Sequence, residues 1–571
     1  MKTLLTALLL TLTSLHAATK PNILFIAVDD LRPDLGCYGN TIIKTPNIDR
    51  IAARGIVFKK AYCQQAVCGP SRTAIMTGLR PDVTKVWDLE THFRAAQPAC
   101  ITLPQHFKAN GYHCAALGKL YHTGFEDGRS WNEPHWYPKG RAVDTDQVDW
   151  TKQIVTRHEV NVEEFSAPQE GGPKRKNGKS PKKGPAYEVS PKEDDQLPDG
   201  ATAAEAVKRL AALKEKNEPF FLAVGFVKPH LPFVAPKKYW DLYDPNTIPA
   251  PTTYRLPTGS PEWTGHTNGE LHSYPGVPTE NPIPADFART LRHGYYACIS
   301  YVDAQVGRLL DALDKEGLAD NTIIVLWGDH GWQLGEHGLW HKHTNFEIAA
   351  RSPLLISVPG TKTAGRKCEA PVEFVDVYPT LADVCGLPIP SGLGGSSLKN
   401  FIENPAAPAN DVAISQYPKS APEGPVMGYS IRNERYRATF WRERNGARII
   451  ATELYDEQDD PDEKVSLADN PEHKDLLDSL VKHLPPVGSD LNPAAKPKGK
   501  GKSKTPTKPA PAADDRGDRF DKLDKDKTGK LTRDYYTTHQ SDAAAAGERF
   551  TKWDIDKDGL LSRDEYLKQG K

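Results

Sequence analysis

Three apolar runs, each ending on charged or polar side chains, fix most of what this chain can fold into. Ile23 to Val28 ends at Asp29 and Asp30, Phe220 to Phe226 ends at Lys228 and His230, and Thr322 to Trp327 ends at Asp329 and His330. Continuous apolar strands are buried on both faces, as in a sheet covered by helices. Helical stretches between them, including Ala201 to Lys216 and Ser300 to Glu316, supply the cover in alternating order. The reading is an α/β/α sandwich. Ligands of such sheets sit beyond the carboxyl ends of the strands, so three strands would deliver their polar residues to one rim.

That rim carries its own chemistry. Asp29 and Asp30 offer adjacent oxygen ligands, and Asp329 with His330 offers a second pair from another strand. Carboxylates brought together repel unless a cation lies between them. Oxygen-rich ligation suits calcium or magnesium, and the single imidazole leaves a transition metal open. Lys119 with His122, three residues apart and on one face if helical, His230, and Lys342 within His341-Lys342-His343 add fixed positive charge and groups that transfer protons near neutral pH. The pentapeptide Cys68-Gly69-Pro70-Ser71-Arg72 stands just ahead of a predicted helix, with Pro70 and Ser71 in its first turn and position 68 placed for an anion.

At 571 residues two or three domains are expected, and a net charge of −1 predicts no bulk attraction to nucleic acid. Residues 1–18 have the layout of a secretory signal, which predicts a periplasmic or secreted protein; no later run is long and apolar enough to span a membrane. The eight cysteines lack zinc-ligand spacing; Cys100 and Cys114, flanking one helix-like stretch, are a pair to consider for a disulfide. The body of the chain, 19–410, reads as the catalytic domain. Residues 411–484 read as a smaller α+β subdomain, with strand-like pieces around Gly428 to Trp441 and Arg448 to Tyr455. A helix follows, capped by Asn470, with Leu476, Leu480 and Leu484 on one face. The insertion Pro168 to Pro185 carries six basic residues between Lys174 and Lys183 and suits a solvated loop or contact with a polyanion.

Residues 485–513, rich in Pro, Lys, Gly and Ala, read as a linker. Residues 514–571 read as an all-α pair of EF-hands, because Phe520, Leu523 and Asp524 recur 30 residues later as Phe550, Trp553 and Asp554. In the second loop Asp554, Asp556, Asp558, Ser562 and Glu565 occupy ligand positions, with Gly559 at the turn and the Leu560 carbonyl as a further ligand for calcium. The first loop has Tyr535 where the bidentate Glu belongs and is expected to bind weakly or to serve mainly as the structural partner of the second.

With those residues in view, the chain resembles the type I sulfatases of the alkaline phosphatase superfamily. The likeness runs from about Pro21 to Leu484 and rests on Asn22 to Asp30, Gln64 to Asp82, Thr102 to His122, Phe220 to Phe233, Asp303 to Phe346 and Gly428 to Arg432. Phe221-Leu222-Ala223-Val224-Gly225 followed by Lys228-Pro229-His230 points to the iduronate-type branch. The resemblance implies that a maturation enzyme converts Cys68 to formylglycine, whose hydrate attacks sulfur and then expels sulfate. It implies Asp29, Asp30, Asp329, His330 and residue 68 as calcium ligands, Arg72 and Lys119 on the diol, His122 assisting its collapse, and Lys342 on the sulfate. His230 is the choice for protonating the leaving alcohol, with Lys342 the other candidate. The expected substrate is a sulfated glycan, 2-O-sulfated uronate first. The alternatives are a phosphate or phosphonate ester hydrolase of the same superfamily and a calcium-dependent glycan-binding protein with an inactive site.

Overall fold

The computed structural model describes residues 20–138, 141–143 and 184–489, apart from 267, 410, 411 and 445, and most of 520–568. The signal segment, the basic insertion up to Lys183 and most of the linker lie outside the described residues. The chain divides into two compact units, Met1–Pro493 and Ala494–Lys571.

In the first unit the strands are β1 (Asn22–Val28), β2 (Ile56–Tyr62), β3 (His113–Gly118), β4 (His135–Tyr137), β5 (Arg141–Val143), β6 (Tyr187–Ser190), β7 (Phe220–Phe226), β8 (Phe233–Pro236), β9 (Thr322–Gly328), β10 (Leu354–Ser357) and β11 (Lys367–Glu373). Nine of them form one mixed sheet in the order β11-β2-β10-β9-β1-β7-β3-β4-β5, while β6 and β8 pair separately. The three apolar runs are its adjacent, parallel centre, β9-β1-β7.

Alternation along these strands divides the core in two. Leu24, Ile26 and Val28 join Leu222, Val224, Ile324 and Leu326 on one face, against the helices Pro198–Lys216 and Ala285–Lys315. Ile23, Phe25 and Ala27 join Phe221, Ala223, Val325 and Trp327 on the other, against Cys68–Thr77, Leu103–Ala109 and Val377–Val384. Both faces are dry, which is why the runs read as continuously apolar.

A second sheet is an antiparallel meander of β12 (Ala413–Ala421), β13 (Gly424–Arg432), β14 (Tyr436–Glu443) and β15 (Ile449–Asp456). The helix Lys474–Leu480 covers one face through Leu480, against Ile431, Phe440 and Leu454. Asn470 accepts from the Glu472 N–H at 3.0 Å ahead of it. The sheet is tied to the first layer by Asp82, which accepts from Gln416 at 2.7 Å and Tyr429 at 2.8 Å. The chain stays attached past Leu484: the Pro485 carbonyl accepts from Arg442 at 2.6 Å and Ser489 donates to Asp82 at 2.9 Å.

All eight cysteines are thiols. The Cys100–Cys114 disulfide does not form: Cys114 is buried, with Sγ 3.3 Å from the Pro104 carbonyl. Among the described residues no helix is long and apolar enough to cross a membrane.

In the second unit β16 (Lys530–Thr532) pairs antiparallel with β17 (Leu560–Ser562), Leu531 opposite Leu561. Helices Arg533–Thr538, Ala543–Trp553 and Arg563–Lys568 adjoin them, over a core of Phe520, Leu531, Tyr536, Phe550, Leu561 and Tyr566.

Candidate active site

Register places the site. Val28 lies opposite both Phe226 and Gly328, so Asp29 and Asp329 leave the sheet at one level, and their N–H groups continue the ladder to the Phe226 and Val28 carbonyls. On the next strand Gly118 pairs with Gly225, and Lys119 follows. Asp30 turns out of line with φ 56, a conformation few side-chain-bearing residues adopt. Tyr295 holds it there, donating to the Asp30 carbonyl at 2.6 Å and accepting from the Arg32 N–H at 3.0 Å.

Into this rim the helix Cys68–Thr77 inserts its first turn, so Cys68 opens the helix rather than preceding it. Cys68 Sγ lies 3.4 Å from Asp29 Oδ1 and 3.3 Å from His330 Nε2. Arg72, fully buried, donates to Asp329 Oδ2 at 2.8 Å, Asp29 Oδ1 at 3.1 Å and the Lys119 carbonyl at 2.6 Å. Lys119 Nζ bonds Asp29 Oδ2. Lys342 Nζ lies 3.0 Å from Asp30 Oδ1 and 3.4 Å from Glu270 Oε2, and 4.8 Å from the Trp332 ring centre. His230 Nε2 is 3.2 Å from Glu270 Oε1 and 3.9 Å from Asp30 Oδ2, with Nδ1 anchored on the Leu231 carbonyl at 2.6 Å.

Two of the predicted features behave differently from their spacing. The segment after β3 is a bend, not a helix, so Lys119 and His122 do not share a helical face. Lys119 turns to Asp29, whereas His122 lines a small cavity with Gly69, Thr73 and His92 beside the first turn of Cys68–Thr77. Lys228, at the end of β7, points away and donates to the His230 and Pro232 carbonyls, both at 2.7 Å. Glu270 is the residue that sequence reasoning missed. It sits in the short helix Gly269–His272, with no motif around it.

The charges do not balance. Four carboxylates, Asp29, Asp30, Glu270 and Asp329, face three fixed cations, Arg72, Lys119 and Lys342. Burial pushes the Asp29 carboxyl up, but Lys119 and Arg72 outweigh it and hold Asp29 well below the usual range. Asp30 goes the other way: burial, with Asp29, Glu270 and Asp329 nearby, raises it against the pull of Lys342. Burial lowers His330, keeping the ring neutral; its Nδ1 meets the Gly331 carbonyl at 2.9 Å, which leaves the Nε2 lone pair facing Asp30 and Asp329, each at 3.5 Å. Asp29, Asp30, Cys68 and His330 present ligand atoms within 4.8 Å of one another. An acidic set short of one positive charge, with a neutral imidazole nitrogen aimed into it, fits a divalent cation. Burial, with Asp29 next to it, raises the Cys68 thiol well above its ordinary value, so as a cysteine it is not a ready nucleophile.

A sulfatase family model matches residues 21–387. The chain belongs to the sulfatase family. A second model, described as N-sulphoglucosamine sulphohydrolase, C-terminal, matches residues 335–489 of this sulfatase. Among its relatives are the iduronate 2-sulfatase of Mus musculus, 34% identical over 534 residues, covering 80% of this chain and 93% of the relative. A sulfatase of Formosa agariphila is 33% identical, covering 82% and 86%. Its fold is similar to a protein solved with its substrate D-glucosamine-2-N,6-O-disulfate (TM-score 0.60, 24% identity, 81% of this chain and 96% of that one). The phosphonate monoester hydrolase of Silicibacter pomeroyi has a TM-score of 0.62 at 23% identity, with 81% and 94% covered. This sulfatase is a sulfuric ester hydrolase. Sulfatases work with a formylglycine and a divalent metal, and the rim provides a cysteine and an acidic-imidazole cluster in one place.

Proposed function

We propose that this sulfatase is exported and removes a sulfate ester from a glycan, with 2-O-sulfated uronate as its substrate. The observation that carries the reading is the convergence of Cys68, Asp29, Asp30, His330 and Lys342 from four separate segments on one buried rim. The kinship with iduronate 2-sulfatase, over most of both chains, supports the uronate.

Cys68 Sγ marks the place of the formylglycine hydroxyls. That group would supply two hydroxyls on one carbon, one to attack sulfur and one to let sulfate leave, and Asp29, Asp30, Asp329 and His330, with residue 68, would hold a calcium ion that supplies fixed positive charge. Arg72 and Lys119 keep Asp29 ionised and set its oxygens toward residue 68. His122, which lines a cavity with Gly69, would take up the proton released when residue 68 is regenerated. Lys342 grips the sulfate, and His230, its Nδ1–H fixed on the Leu231 carbonyl, faces the departing alcohol with Nε2; burial lowers its pKa to about 3, so it must first take up a proton at Nε2 to serve as the acid.

The second unit is read as an EF-hand pair whose second loop takes calcium. Asp554, Asp556 and Glu565 bring ligand oxygens within 4.8 Å of one another, and Gly559, at φ 81, donates to Asp554 at 3.1 Å. Ser562 at the end of β17 donates to Glu565 at 2.6 Å and fixes this carboxylate. Asp558, Ser562 and the Leu560 carbonyl complete the set.

The substrate is tested by comparing kcat/KM on a 2-O-sulfated uronoside, a 6-O-sulfated hexoside and a matched aryl sulfate and aryl phosphate pair. The uronoside should lead and the phosphate trail; a faster hexoside would remove the uronate assignment, and a faster phosphate would remove sulfate as the preferred ester.

A further inference from the structure

Beside the catalytic rim lies a second group of side chains that the reaction does not use. His341 and His343 flank Lys342 in sequence and pack together beside the rim, with His341 Nδ1 3.9 Å from Glu270 Oε2. The His341 ring centre lies 3.8 Å from that of His266, tilted by 41°, and 4.3 Å from that of His343, edge-on, and His343 lies 5.7 Å from Tyr417 on β12. The β12–β13 hairpin thus closes against the rim, Lys419 opposite Val426 and Ser420 opposite Pro425. Between hairpin and histidines opens a cleft of about 390 Å³, lined by His266, His343, Tyr417, Lys419, Ser420 and Arg444 together with two prolines. It is wide open to solvent, and no carboxylate lines it.

Lys419 is the informative member. Its Nζ donates to the Gly265 carbonyl and lies 5.2 Å from the Tyr417 ring centre, and among the described residues no carboxylate pairs with it. Glu453, whose charge acts on it, is committed elsewhere, accepting from Ser260 at 2.6 Å and from Trp441 and Tyr455 at 2.7 Å each. Burial, against that pull, lowers the Lys419 pKa to about 8. A desolvated ammonium without a counter-ion is unfavourable, and an arriving anion relieves it. The electrostatics contrast with the rim a few residues away, where acids outnumber cations.

We propose that this cleft is an anion subsite in which Lys419, with Arg444, takes a second anionic group of the glycan, a carboxylate or a further sulfate, while Lys342 holds the sulfate to be removed. The inference rests on the glycan sulfatase reading and adds to it a preference for polyanionic sugars. The hairpin of the second sheet then selects substrate, and the first sheet performs the chemistry.

The test uses full-length matured enzyme and three sulfated pyranosides that share one scissile ester and differ at one other carbon, which bears a carboxylate, a carboxamide or a sulfate. The anionic compound should exceed the carboxamide in kcat/KM by roughly ten- to a hundredfold, chiefly through KM, with the advantage shrinking as salt rises. Whether the carboxylate or the sulfate compound shows the larger ratio names the group. Lys419→Met should bring the ratio near one and Lys419→Arg should keep most of it. Sulfate release at equal efficiency from all three, or a ratio that survives Lys419→Met, would overturn the subsite and leave the sulfatase reading intact. Failure to release sulfate from any of them would count against the glycan reading beneath it, and so against the subsite too.

Discussion

Arg72 Nε reaches Asp329 Oδ2 at 2.8 Å with neither side chain touched by solvent, joining the nucleophile helix to the end of β9. The same guanidinium holds Asp29. Breaking a buried pair by removing one partner strands the other charge, a loss of roughly 3–5 kcal/mol. Arg72→Ala should therefore lower the unfolding free energy by that order and abolish sulfate release. Arg72→Lys should recover part of the stability without recovering turnover, since one ammonium cannot serve Asp29, Asp329 and the Lys119 carbonyl together. Denaturant unfolding and turnover measured on both variants check this.

Two glycines set how closely β3 and β7 approach. A Cβ on Gly225 would meet the Lys119 carbonyl at 2.0 Å, and Gly118, at φ 69, approaches the Gly225 carbonyl as closely. Gly225→Ala must push Lys119 outward, away from Asp29. The expected cost is about 1–3 kcal/mol in stability. The expected loss in kcat is on the order of a hundredfold, because the catalytic geometry shifts. Parallel measurement of melting and kcat on a folded variant separates the two effects.

A third prediction concerns acid stability. Glu336 is buried, which opposes its ionisation, but Arg32 at 3.0 Å and Arg292 at 3.1 Å outweigh burial and lower its pKa from 4.5 to about 2. A carboxyl whose folded pKa is depressed contributes stability above its unfolded value, lost as pH falls through the folded one. The contribution is about 3 kcal/mol at neutral pH. Glu336→Gln should be destabilised near neutrality, and its deficit against the parent should narrow as pH drops from about 4.5 toward about 2. Urea midpoints across that window give the answer; a deficit constant with pH would contradict the assignment.

Much of this was legible in the sequence, for a physical reason. Strands buried on both faces cannot hide their apolar continuity, so β1, β7 and β9 appear within a residue of their ends, and the polar residues after them mark the rim. The long helix Ala285–Lys315 was half seen, because Tyr295, Tyr296, Ala297 and Cys298 are all buried and the amphipathic stripe is blurred there. Glu270 left no trace, since a single carboxylate in an irregular segment gains meaning only when the fold sets it between His230 and Lys342. The cleft around Lys419 was equally hidden, being shared by His266, His343 and the stretch 417–444, each about 75 residues from the next.

The two proposed calcium sites should separate. A chain ended at Pro493, where the first compact unit closes, should retain turnover of a small aryl sulfate. Ending it nearer Leu484 should destabilise it, because Arg442 would lose the Pro485 and Pro486 carbonyls and Asp82 would lose Ser489. In the full chain Glu565→Gln should weaken calcium binding by the second unit, read by calorimetry, with little change in kcat. A parallel loss of kcat would tie that unit to catalysis.

Peptide mass spectrometry of residue 68, combined with specific activity, bears most directly on the central claim that the rim acts through a modified Cys68. Across preparations matured to different extents, activity should rise in proportion to the fraction of residue 68 present as aldehyde and extrapolate to zero with none, and Cys68→Ala should be folded and inactive. Full activity in a preparation holding only the cysteine thiol would contradict the account.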